Sequence, residues 1–133
     1  MNNKSQLLKG TLEGCVLRII DLEGEAYGYE IARMLKENGF SDISEGTLYP
    51  LYTRLQKNGL IESVMKKSEL GPARKYYSLT DKGRQELKDF LEAWEYLVRN
   101  INSIISGAIK ADQRACEPLP PKEAETPRIK PKS

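Results

Sequence analysis

Apolar residues return at steps of three and four through most of the chain, and the pattern gives way to strand-like runs only once. Between residues 5 and 22, SQLLKGTLEGCVLRIIDL places Leu8, Leu12, Cys15, Leu17, Ile19 and Ile20 at largely helical spacing. Gly10 and Gly14 weaken this first helix without cancelling it. EGEA reads as a turn. YGYEIARMLKENG then sets Tyr27, Ile31, Met34 and Leu35 on one stripe, with Gly39 as a C-terminal stop. In FSDISEGTLYPLYTRLQKNGL, Ser44 is a good N-cap, with Ile43 and Leu48 placed as a hydrophobic staple. A third helix over about 45–58 results, ended by Asn58-Gly59. Leu48, Leu51 and Leu55 face the core, and Thr47, Tyr49, Arg54 and Lys57 stay outside. Pro50 conflicts with this helix, because it removes a backbone donor and crowds the carbonyl of Gly46.

LIESVMKK and RKYYSLT are strand-like runs joined by SELGPA, a hairpin with a loop of several residues. One of the adjacent Tyr76 and Tyr77 belongs to the core, and Tyr77 with Leu79 is the better pair. Thr80 caps a last helix, with Asp81 in its first turn. Leu87, Leu91, Trp94, Val98, Ile101, Ile105 and Ala108 alternate steps of four and three, with Phe90, Leu97 and Ile104 alongside. Such a helix of about 26 residues is roughly 39 Å long, more than a small body can cover. A second copy zipped along this seam is therefore expected. From Lys110 the composition shifts to prolines and alternating charges, which predicts a disordered tail.

The expected fold is mainly α with a small β-hairpin. Residues 1–80 form a winged helix-turn-helix domain, 81–109 a C-terminal dimerisation helix, and 110–133 the tail. Composition agrees with one small domain: 133 residues, 39% apolar and 30% charged. The net charge of +2 equals the excess of basic over acidic residues in the tail, so the body is balanced. Location of the cations matters more than their number. There is no histidine, no metal-ligand spacing and no phosphate-binding glycine loop, so neither an enzyme, a cofactor nor a metal site is expected. Cys15 reads as a small apolar residue, and Cys116 lies in the tail. No signal peptide or membrane span is legible, which makes a cytoplasmic protein the expectation.

In a winged helix-turn-helix the third helix enters the DNA major groove and the hairpin reaches the adjacent backbone or minor groove. The expected contacts are Ser44, Thr47, Tyr49, Arg54 and Lys57 on the helix, and Lys66, Lys67, Arg74, Lys75 and Tyr76 on the wing. A salt bridge to the body is the alternative for Arg54 and Lys57. Four cations on one short ribbon can neutralise phosphates and release counterions, which positions a protein without reading sequence.

GYEIARML, EGTLYPLYTRLQKNGLIES and GPARKYYSLTDKGRQEL together resemble the PadR family of transcriptional regulators, over about residues 7–107. The resemblance also accounts for Pro50, which that family tolerates. It implies a homodimer that represses or otherwise regulates transcription at pseudo-palindromic double-stranded DNA operators. With one C-terminal helix, the chain is similar to the compact branch of the family. Some compact members stack flat hydrophobic compounds against an aromatic of the last helix. The resemblance implies this effector-binding role for Trp94, with Phe90 beside it, and packing in the dimer core is the other reading. Dimerisation is expected through Leu87, Leu91, Trp94, Val98, Ile101 and Ile105. A competing function is a winged-helix protein–protein module without DNA binding, which calls for apolar residues on the wing rather than four cations.

Overall fold

A computed structural model describes residues 7–8, 10–67 and 71–107. Ala108, the tail from 110 with Cys116, and residues 68–70 of the hairpin loop lie outside the described residues.

The elements, in chain order, are α1 (Leu12–Glu23), β1 (Ala26–Tyr27), α2 (Gly28–Glu37), α3 (Glu45–Lys57), β2 (Ile61–Lys67), β3 (Ala73–Leu79) and α4 (Asp81–Ser106). This is the mainly helical, hairpin-bearing order expected of a winged helix-turn-helix. The sheet is antiparallel in the order β1-β3-β2. β1 was not anticipated: Ala26 and Tyr27, read as turn and helix start, pair with Tyr77 and Tyr76 of β3.

Two compact units are present, one through Glu92 and one from Ala93. The first holds the core. Val16, Leu17 and Ile20 of α1 meet Ile31 and Leu35 of α2, Leu48, Leu51 and Leu55 of α3, and Ile61, Tyr77 and Leu79 of the sheet. Ile43, Cys15, Met34 and Phe90 pack against this cluster, partly buried. Burying these side chains is the main favourable term, on the order of 1.5–3 kcal/mol for each large one.

The end of α3 is tied to the start of α4. Gly59, at φ 76°, ends α3, with the Gly59 N–H donating to Gln56 O and the Leu60 N–H to Leu55 O. Thr80 then joins two elements at once. Its backbone N–H donates to Leu60 O at 3.1 Å and its hydroxyl to Gly59 O at 2.6 Å. The same hydroxyl oxygen accepts the Gly83 N–H at 2.9 Å, capping α4. Lys82 Nζ donates to Asn58 O at 2.9 Å, placing a cation at the negative end of the α3 dipole. Gly83 is buried, and a Cβ there would overlap the Leu60 carbonyl oxygen.

Gly83→Ala therefore has backbone, not a movable side chain, in its way. We expect it to lower unfolding free energy by about 1–3 kcal/mol, measured by urea denaturation. Thr80→Ala, which removes the cap, is expected to cost about 1 kcal/mol.

Candidate nucleic-acid interface

Ser44 sets the register of α3. Its extended backbone leads into the helix, its Oγ accepts the Thr47 N–H at 3.3 Å, and its Oγ lies 3.2 Å from Thr47 Oγ1. Leu48, Leu51, Tyr52 and Leu55 turn inward, so Thr47, Tyr49, Arg54 and Lys57 are exposed. The helix runs unbroken through Pro50. Tyr52 is the hinge pin beneath this surface. Its hydroxyl donates to Gly28 O at 3.3 Å, and its ring lies 5.0 Å from Tyr77 and 6.3 Å, edge-on, from Tyr49. Tyr49 is thus propped by a buried ring while remaining 62% exposed. Arg54 takes its salt-bridge alternative: Nε lies 2.6 Å from Glu13 Oε2, joining α3 to α1 across the surface.

The wing cations divide between two faces. The register pairs Lys66 with Arg74, Val64 with Tyr76 and Met65 with Lys75, and successive strand side chains alternate sides. Ile61, Ser63, Met65 and Lys67 of β2 therefore share a face with Lys75, Tyr77 and Leu79. This face meets α3, through a 3.2 Å hydrogen bond from Gln56 Nε2 to Ser63 Oγ and the Tyr52–Tyr77 contact. Lys66, Arg74 and Tyr76 lie on the opposite face with Tyr27. There, Lys66 Nζ is 2.5 Å from Glu25 Oε1 and 5.4 Å from the Tyr76 ring centre. The Arg74 guanidinium is 4.9 Å from the Tyr27 ring, which packs 5.2 Å from Tyr76. All four cations lie on the one ribbon, and two of them, Lys66 and Arg74, hold partners within the chain. Reasoning from sequence missed Glu25 and Tyr27, and nothing near them in the chain signals a partner on the wing.

The predicted seam residues also separate. Leu87 is only 4% exposed, in the core of its own chain, so its packing is internal rather than in a seam between copies. Phe90, expected beside Trp94, is partly buried, and its ring lies where a side chain on Gly14 would sit, against α1. Leu91 is exposed. In the second unit Val98 is half-buried, whereas Trp94 (47%), Leu97, Ile101, Ile104 (68%) and Ile105 (75%) are exposed.

Among the described residues no cluster of potential metal ligands occurs, and no helix is long and apolar enough to cross a membrane.

A capped, solvent-facing third helix beside a basic antiparallel ribbon defines a winged-helix DNA-binding protein. Residues 16–89 match the model of the transcriptional regulator PadR-like family, and the chain belongs to that family. A PadR-like transcriptional regulator from Bacillus cereus is 48% identical, with a TM-score of 0.72 over 77% of this chain and 99% of its own. A Streptococcus transcriptional regulator is 45% identical, with a TM-score of 0.69 over 74% of this chain and 96% of its own. A transcriptional regulator from Mycobacterium tuberculosis is 34% identical over 59% of this chain and 72% of its own. The protein is a transcriptional regulator of a non-enzymatic, DNA-binding family.

Burial pushes the phenols of Tyr52 and Tyr77 above the ordinary tyrosine value of 10.0. The folded state holds these protons more tightly than the unfolded chain. Their stabilisation is complete below pH 10 and is lost as pH rises above it. Urea midpoints are expected to fall above pH 10, and Tyr52→Phe to make that fall shallower. At neutral pH the same change costs about 1 kcal/mol through the lost bond to Gly28.

Proposed function

We propose that the protein is a homodimeric repressor that binds pseudo-palindromic operators, reading bases with the exposed face of α3 and gripping phosphates with the wing. Thr47 and Tyr49 lie on the N-terminal turns of α3, the part of a recognition helix that meets base edges. Ser44 contributes by capping that helix, and Lys57 is available to the DNA backbone. The observation that carries the dimer is the apolar face of α4. Leu91, Trp94, Leu97, Ile101, Ile104 and Ile105 are all exposed in the single chain, at the three-and-four spacing of a helix–helix seam. Two copies joined by a two-fold axis present two reading heads, and a palindromic operator mirrors that symmetry.

Fluorescence anisotropy with labelled DNA from upstream of the regulator's own gene, taken through a salt series, tests the operator reading. Affinity is expected to fall by a decade or more between low and physiological salt. Salt-independent binding, or none, contradicts it.

The dimer has its own check. Leu91→Asp with Ile101→Asp places charges in the seam and is expected to give half the wild-type mass by light scattering; an unchanged mass refutes the seam.

A small aromatic or hydrophobic effector is the second part of the proposal. Trp94 has a half-exposed indole, and two such rings across a symmetric seam can sandwich a flat ligand. Phe90 packs against Gly14 of α1 in the same chain, so the proposed site is argued from Trp94 alone. Planar aromatic compounds are expected to quench the emission of Trp94, the single tryptophan of the chain, and to shift operator affinity. Titration without quenching assigns Trp94 to packing.

A further inference from the structure

The two faces of the wing differ in what their cations already hold. Resting on the operator-binding reading above, we infer that Lys67 and Lys75 carry the wing's phosphate contacts, while Lys66 and Arg74 are positioning residues that brace the ribbon through Glu25, Tyr27 and Tyr76. Lys66 is held by the Glu25 carboxylate at 2.5 Å and by the Tyr76 ring. To reach a phosphate it must leave both. A phosphate approaching from that side also meets Glu25, a like charge. Arg74 lies over Tyr27, and a guanidinium over a π-face keeps a defined place.

Glu25 and Tyr27 belong to the segment that enters α2, where the Tyr27 N–H donates to Glu30 Oε1 at 3.1 Å. The brace therefore links the wing to the start of the helix preceding α3. Lys67 and Lys75 differ on both counts. They are exposed, and among the described residues neither has an ion pair or a ring partner. Their face of the ribbon is the one that meets α3, so a duplex lying on α3 passes them and not the outer pair.

The test compares salt slopes of operator binding for full-length variants that keep the side-chain stems. Each lost phosphate contact lowers the slope of log affinity against log salt by about 0.9. Lys67→Met with Lys75→Met is expected to flatten the slope by about twice that for each wing in contact. Lys66→Met with Arg74→Met is expected to weaken binding several-fold and leave the slope unchanged. Glu25→Gln frees Lys66 and is expected to steepen the slope, an effect that mere loss of structure does not produce.

A second readout needs no DNA. In NMR spectra the Arg74 side-chain protons are expected upfield under the Tyr27 ring, to stay there in Tyr27→Phe and to return to ordinary positions in Tyr27→Leu. Equal flattening by the outer and inner pairs, or ordinary Arg74 shifts in the wild type, overturns the inference. Wild-type protein that binds no DNA overturns the operator reading instead, and the Arg74 shifts then still decide whether the brace exists.

Discussion

The junction between the end of α3 and the start of α4 is the constraint on which the architecture depends. Thr80 donates there from its backbone N–H and its hydroxyl to the segment that closes α3, and its hydroxyl accepts the Gly83 N–H that opens α4. Gly83 allows the helix to sit against the Leu60 carbonyl, and Lys82 closes the Asn58 end. Leu60 and Ile61, buried immediately afterwards, start the wing from the same point. Recognition helix, wing and final helix thus share one short, hydrogen-bonded node. A side chain larger than glycine at position 83 has no way to enter it without moving backbone.

The node gives α4 two kinds of apolar work. Its first turns serve the body: Leu87 is buried in the core and Phe90 fills the notch left by Gly14 of α1. Leu91, Trp94, Leu97, Ile101, Ile104 and Ile105 carry a second apolar set that remains exposed in one chain. In the proposed repressor, a partner copy covers that exposed surface. The wing follows a similar division. Its tyrosines split, with Tyr77 inside against Tyr52 and Tyr76 outside against Tyr27, and the cations split with them.

Much of this was legible in the sequence because it is local. The Ser44 cap, the Asn58-Gly59 stop, the hairpin and the Thr80 cap depend on residues within a few positions of one another, and the structure has each of them. What escaped is what depends on distance along the chain. β1 is two residues long, too short for alternation to register, and exists because β3 offers it an edge. The partners of Lys66 and Arg74 come from the segment before α2, and only the folded sheet brings them together. A heptad pattern, equally, cannot say whether its apolar positions meet the same chain or another: Leu87 and Phe90 satisfy the seam period yet pack inward. Arg54 had two open roles from sequence, and in the single chain its guanidinium pairs with the Glu13 carboxylate of α1.

If two winged-helix heads are joined through α4, the distance between their recognition helices is set by protein, and DNA must match it. The direct measurement is operator affinity as base pairs are inserted between the half-sites. Adding about 5, half a helical turn, puts one half-site on the wrong side of the duplex and is expected to lower affinity by about two decades or more, the avidity of the second head. Affinity that stays level across the insertion series would mean that each head binds alone, and would contradict the paired architecture.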